Sequence, residues 1–195
     1  MDLIHELLDK SAHSHHRLCP RQVLGVRMGL YAGRILNLQL PRADKRLFTF
    51  IETDGCTVDG VAASTGCSVG RRTMRIVDFG KIAATFVDRE TLSTIRIAPG
   101  FQARDLAKEY APGADDEWNA YLQGYQVMPD EKLFQAQAVK LAVSLDAIIS
   151  RESARINCDR CGEEIFNERE VVLSGLTLCR SCAGEAYYFT TKEIV

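Results

Sequence analysis

The chain has no long apolar run and no excess of positive charge. No segment approaches the roughly 20 consecutive apolar residues of a membrane-spanning helix. The first ten residues also lack the uninterrupted apolar centre of a signal peptide, so we expect a cytoplasmic protein outside the membrane. The formal net charge of −2 argues against a nucleic-acid-binding or membrane-surface role, because such proteins usually carry a basic surface.

Disulfide pairing is also poorly supported. The chain has seven cysteines, an odd number, and no secretion signal. In the reducing cytosol, clustered cysteines more often hold a metal than form disulfides. A chain of 195 residues can form one full domain and a small second one.

The most regular stretch is a helix predicted over residues 20–36. Pro20 suits its first turn, because proline lacks the N–H that would have no partner there, and Asn37 suits its end. Three glycines recur every fourth residue, at positions 25, 29 and 33, and therefore lie on one face. Glycine weakens a helix, so something must pack closely against this face, and another helix is the favoured partner.

Other elements follow from the apolar pattern. We predict helices over 2–13, 57–64, 101–110 and 115–125, and strands over 47–52, 73–77, 82–87 and 94–98. The stretch from Gln135 to Leu145 is ambiguous, because its apolar residues alternate as in a strand while its alanines permit a helix. We favour the strand. Residues 150–153 are polar and are predicted to be a linker.

The strongest motif is near the C-terminus. Two CxxC pairs, separated by 17 residues, comprise Cys158, Cys161, Cys179 and Cys182. Two such pairs can complete a tetrahedral thiolate site, so we predict a four-cysteine zinc ribbon holding a structural Zn²⁺ in a domain over 151–195. Ser174 and Gly175 lie between two short apolar runs, as in a β-hairpin. An iron–sulfur cluster is the alternative, because four thiolates also hold iron.

A second group of candidate residues precedes the glycine-rich helix. Cys19 lies immediately before Pro20 and therefore at or next to the helix N-cap, after two histidines at positions 15 and 16. Free backbone N–H groups at a helix N-terminus favour the thiolate, the form that binds metals and attacks electrophiles. The simpler interpretation is a small buried cysteine with surface histidines.

Several motifs in one order resemble the FmdE family, named after the E subunit of formylmethanofuran dehydrogenase. That family carries HGHxCPG and LGxRMG near the N-terminus, then an acidic residue and a cysteine, a TGC(S/T)xG loop and a D(Y/F)GK turn. The matching residues here are His15, 18–20, 24–29, Glu52, Cys56, Asp59, 65–70 and 78–81. Arg17 stands where the family has its second histidine, and Arg21 where it has a glycine.

This resemblance implies an α+β core domain over 1–150, with helices and a mixed or antiparallel sheet, that forms an intertwined homodimer. It also implies a second metal or reactive-thiol site in a cleft, made from His15, Cys19, Cys56 and Cys67 with Asp59 nearby. Thiolates with one imidazole suit zinc, copper(I) or iron. The expected function is a metal-binding accessory or regulatory protein, with a multisubunit molybdenum or tungsten oxidoreductase as partner.

Two other functions stay open. The chain could be an enzyme with Cys19 as its nucleophile, assisted by His15. It could also be a transcription-associated or nucleic-acid-binding module acting through the zinc ribbon. The second is disfavoured, because acidic residues match the basic residues of the ribbon.

Overall fold

The computed structural model of the chain describes residues 2–13, 17–149 and 154–191. The chain divides into two compact units, one over 1–140 and one over 141–195. No helix in the described ranges is long and apolar enough to cross a membrane.

The first unit, which we call the core unit, combines six helices with a five-stranded mixed sheet in its described part. Its helices are α1 (Leu3–Ala12), α2 (Pro20–Leu36), α3 (Thr57–Thr65), α4 (Ala103–Glu109), α5 (Glu117–Val127) and α6 (Asp130–Leu133). Its strands are β1 (Leu47–Ile51), β2 (Met74–Ile76), β3 (Ala84–Asp88), β4 (Thr94–Pro99) and β5 (Phe134–Ala138). The sheet order is β2-β1-β3-β4-β5, in which β1 and β2 are parallel and the other pairs antiparallel. The α+β prediction is therefore confirmed.

Helix α2 is the centre of the core unit. It begins at Pro20 and ends at Leu36 as predicted, and Asn37 adopts the left-handed conformation that ends it. Of its 17 residues, ten are buried. Val23, Val26 and Met28 have no exposed surface, so this helix is covered on more than one side.

The glycines of α2 make the expected close helix contact. A Cβ at Gly25 would lie 2.4 Å from the carbonyl oxygen of Thr57, and one at Gly60 of α3 would lie 2.3 Å from that of Gln22. A Cβ at Gly29 would lie 2.0 Å from Oγ of Ser64. Backbone therefore meets backbone where α2 crosses α3, which only glycine permits on both helices.

The stretch from Gln135 to Leu145 differs from the prediction. Strand β5 ends at Ala138, and the alternating apolar residues that suggested the strand follow it. The strand forms because its backbone pairs with β4, in register from Ile95 with Ala138 to Pro99 with Phe134. Four of its five residues are exposed at the sheet edge, so burial does not generate a hydrophobic pattern there.

The second unit, which we call the ribbon unit, contains a short helix and two hairpins. The helix is α7 (Leu145–Ile149), and the hairpins pair β6 (Arg155–Asn157) with β7 (Glu164–Phe166) and β8 (Val171–Leu173) with β9 (Leu176–Leu178). A short helical turn follows over Ser181–Glu185. Ser174 and Gly175 form the predicted turn between β8 and β9, both with positive φ. The predicted linker at 150–153 lies outside the described residues.

Candidate functional site

Cys19 is the N-cap residue of α2. Its backbone is extended, and its N–H donates to Oε1 of Gln22 at 2.8 Å. The side chain of Gln22 has no exposed surface, and its Nε2 donates to the carbonyl of Ser11 at 2.8 Å. The N-terminus of α2 is thus fastened to α1, and the position of Cys19 is fixed by buried hydrogen bonds.

Cys56 occupies the corresponding position before α3. The crossing of α2 and α3 at Gly25 and Gly60 places the N-terminal ends of the two helices side by side. The side chains of Cys19 and Cys56 therefore meet in a hydrogen-bonding contact. Both are partly exposed, as a site that receives a ligand requires.

The protonation of Cys19 differs from the expectation. Burial raises the pKa of the Cys19 thiol, and the neighbouring Cys56 raises it further. The backbone N–H of Gln22 lowers the pKa of Cys19, as a helix N-terminus should, but this effect is smaller than that of burial. Without a cation beside it, Cys19 is therefore held in its thiol form.

The other predicted residues of this cleft lie elsewhere. Cys67 is 4% exposed, its thiol donates to the carbonyl of Leu47 at 3.3 Å, and burial raises its pKa. Asp59 is half-buried on α3 and is not among the residues that line the cavity described below. His15 lies outside the described residues.

Glu52, another matched residue, links the strands beside the cleft. Its two carboxylate oxygens accept from Nε and Nη2 of Arg96 at 2.7 Å each, and this pairing lowers the pKa of Glu52. Its carbonyl accepts from the backbone N–H groups of Phe79 and Lys81, at 3.0 and 2.9 Å. Glu52 therefore anchors the Asp78–Lys81 turn, rather than presenting a free carboxylate to the cleft.

The two thiols open into a cavity of about 620 Å³. Its wall includes aromatic side chains of α5 and two arginines, features that the motifs did not predict. The lining residues are Cys19, Pro20, Arg21, Leu24, Cys56, Ile82, Pro99, Gly100, Phe101, Ala103, Arg104, Trp118, Tyr121 and Tyr125. The signal for the aromatic wall was present in the sequence, because residues 118, 121 and 125 share one face of a helix.

Arg27, which belongs to the matched stretch 24–29, holds α5 in place. Its Nη1 donates to the carbonyls of Tyr125 and Gln126 at 2.7 and 3.0 Å. Its Nη2 donates to the carbonyl of Met128 at 2.6 Å and to Oδ1 of Asp130 at 2.7 Å. This buried guanidinium thus satisfies the carbonyls at the C-terminal end of the helix that forms the aromatic wall.

In the ribbon unit, the four cysteines converge. The sulfurs of Cys158, Cys161, Cys179 and Cys182 all lie within 4.8 Å of one another. The sulfurs of Cys161 and Cys179 are 3.9 Å apart, close to the spacing of about 3.8 Å that a tetrahedral zinc with 2.3 Å bonds requires. The thiol donor set and its geometry therefore fit Zn²⁺.

The surrounding backbone supports thiolates at this cluster. The N–H of Cys179 donates to the sulfur of Cys158, and the N–H of Cys182 to that of Cys179, both at 3.3 Å. Backbone N–H groups lower the pKa of Cys158 to about 6, whereas the adjacent sulfurs, that of Cys179 first, raise the pKa of Cys182 to about 12. A divalent cation would relieve this repulsion between neighbouring thiolates.

Comparison with known proteins agrees with this arrangement. Residues 13–135 match the model of the family described as FmdE, Molybdenum formylmethanofuran dehydrogenase operon. Residues 152–188 match the model of the prokaryotic dksA/traR C4-type zinc finger.

Two individual proteins are similar over nearly the whole chain. A curated relative from Archaeoglobus fulgidus, described as a probable S-adenosyl-L-methionine-binding protein, is 25% identical over 97% of this chain. The chain spans 56% of that relative's length. The crystal structure of an FmdE-like protein of tungsten formylmethanofuran dehydrogenase from Syntrophus aciditrophicus superposes with a TM-score of 0.61, covering 95% of each chain at 17% identity.

Proposed function

The chain belongs to the FmdE family, and from this premise we propose that it is a metal-binding accessory or regulatory protein with two metal centres. The first is a structural zinc held by the four cysteines of the ribbon unit. The second is a cleft site in which Cys19 and Cys56 are ligands and His15 supplies an imidazole. The observation that carries the second site is the contact between the two partly exposed thiols before α2 and α3.

The two centres have different tasks in this proposal. The ribbon unit has a small core of three fully buried residues, Cys158, Ile165 and Leu178, so a metal would supply much of its folding free energy. The cleft site opens to a cavity, and an ion there retains room for an exogenous ligand. Its soft donors suit zinc, copper(I) or iron rather than magnesium or calcium.

Metal content tests the second centre directly. We expect two equivalents of metal in the wild type and one in a Cys19→Ser/Cys56→Ser double variant. Cys67→Ala is the matched control, because it removes a buried core-unit thiol that does not line the cavity. An unchanged metal content in the double variant would contradict the cleft site, whereas a loss in the control as well would indicate general unfolding.

Assembly is part of the same proposal. We propose a homodimer that associates with a multisubunit molybdenum or tungsten oxidoreductase, because the family is described by the operon of such an enzyme. Light scattering of the purified chain tests the dimer. A mass equal to the 21.7 kDa of one chain at micromolar concentration would contradict it.

An enzyme with Cys19 as its nucleophile is the second candidate, because this thiol lines the cavity. The raised pKa of Cys19 counts against it, since only the thiolate attacks an electrophile. Alkylation by iodoacetamide distinguishes the two functions. If Cys19 reacts faster at neutral pH than a free model thiol, the nucleophile is supported over the metal ligand.

A further inference from the structure

The cavity of the core unit carries positive charge without matching negative charge. Its lining includes Arg21 and Arg104 but no aspartate or glutamate among the described residues. The chain as a whole has 26 acidic and 24 basic residues, so the cavity departs from the average of the molecule. A concave surface lined by one sign of charge attracts ligands of the opposite sign.

Both guanidinium groups are available to a ligand. Arg21 and Arg104 are exposed, and neither forms a salt bridge with a carboxylate in the described parts of the chain. Arg104 contacts the hydroxyl of Tyr125, which directs it toward the aromatic wall. Guanidinium groups bind phosphate and carboxylate through paired N–H donors.

The opposite feature of the cavity is a flat aromatic surface. Trp118, Tyr121 and Tyr125 follow one face of α5, and the last two stack with centroids 5.9 Å apart and planes at 11°. Phe101, which also lines the cavity, is 98% exposed. Such a surface stacks on planar rings, and a ligand would cover an aromatic side chain that otherwise faces water.

We propose that this cavity binds an organic anion of nucleotide size, with a planar aromatic ring against Trp118 and Tyr121 and a phosphate or carboxylate at Arg21 and Arg104. The volume of about 620 Å³ lies within the range of roughly 300–1,000 Å³ that is usual for such ligands. The inference goes beyond the metal centres, since it requires only the arginines and the aromatic wall.

The single tryptophan of the chain provides the readout, because it is Trp118 itself. AMP and 4-hydroxybenzoate serve as probes with a phosphate and a carboxylate, while adenosine and phenol are their uncharged counterparts. We expect saturable quenching of tryptophan emission by at least one charged probe. Its uncharged counterpart should bind about tenfold more weakly, because it lacks the charge-assisted hydrogen bonds.

Arginine variants complete the test. Arg21→Gln and Arg104→Gln should each weaken the charged probe about tenfold, and Arg89→Gln, an exposed arginine outside the cavity, should leave its binding unchanged. The inference is overturned if neither charged probe gives saturable quenching up to about 5 mM, the range of weak binding. Equal binding of the uncharged counterparts, or equal weakening by Arg89→Gln, would also overturn it.

Discussion

Replacing Arg27 with methionine removes the guanidinium at the C-terminal end of α5 while keeping a long, flexible side chain in its place. The wild-type group makes four hydrogen bonds, three to backbone carbonyls and one to Asp130, at 2.6–3.0 Å. Its side chain is 10% exposed, as is that of Asp130, so water does not readily replace the lost donors.

The expected loss can be worked from these contacts. Removing one partner of a buried ion pair costs about 3–5 kcal/mol, and a hydrogen bond from a charged donor contributes about 1.5–3 kcal/mol. Asp130 keeps Arg34 as a second cationic partner, which lowers the cost of leaving it behind. We therefore expect Arg27→Met to lower the free energy of unfolding of the core unit by about 3–4 kcal/mol.

Urea unfolding followed by tryptophan emission measures this loss, because the only tryptophan lies on α5. Arg34→Met is the matched control. It removes the other partner of Asp130, but its side chain is 59% exposed, so a loss of about 1 kcal/mol or less is expected. If Arg27→Met costs no more than Arg34→Met, the assignment of Arg27 as the anchor of α5 is refuted.

Three further predictions concern other parts of the chain. Gly25→Ala should destabilise the core unit by about 3 kcal/mol in urea unfolding, because its Cβ would collide with the backbone of α3. Gly70→Ala, where a Cβ meets no atom within 4 Å, should change stability by about 0.5 kcal/mol or less. Asp88 has a pKa of about 2, lowered mainly by Arg46 from a usual value of 3.8, so its stabilisation of about 2 kcal/mol is complete above pH 3.8 and is lost as the pH falls toward 2. The difference in unfolding free energy between wild type and Asp88→Asn should narrow over that interval, and a constant difference would contradict the assignment. Chelation of the ribbon metal should abolish the amide NMR dispersion of both hairpins while leaving tryptophan emission unchanged, and persistent dispersion would contradict a structural metal.

Local chemistry made much of the fold predictable. The bounds of α2 followed from Pro20 and Asn37, since both residues restrict the backbone wherever they occur. The helix contact followed from glycine spacing, and the second hairpin from Ser174 and Gly175. In each case, the determining residues lie within one or two turns of the feature they determine.

The features that the sequence did not reveal depend on distant residues. Strand β5 exists because β4 offers it a backbone edge, and no side-chain pattern records that pairing. Arg27 belongs to one of the matched motifs, but its role depends on carbonyls about 100 positions further along the chain. Pairing between such remote groups is settled by the packing of the whole unit.

The candidate cleft was partly predictable for the same reason. Cys19 and Cys56 were proposed together from the resemblance, and the crossing of α2 and α3 brings them into contact. Cys67 has the same chemistry, but its place behind β1 directs its thiol to the carbonyl of Leu47. Arg21 and Arg104 were not linked to one another, because they lie on different helices and neither forms a motif.

The glycine contact between α2 and α3 also governs how the cleft can respond to a ligand. Cys19 and Cys56 each precede one of these helices, and the helices touch through backbone atoms that cannot yield. The separation of the two thiols is therefore set before any ligand arrives. A ligand that bridges them has little reorganisation to drive, so association should be a single step whose observed rate rises linearly with ligand concentration and shows no plateau.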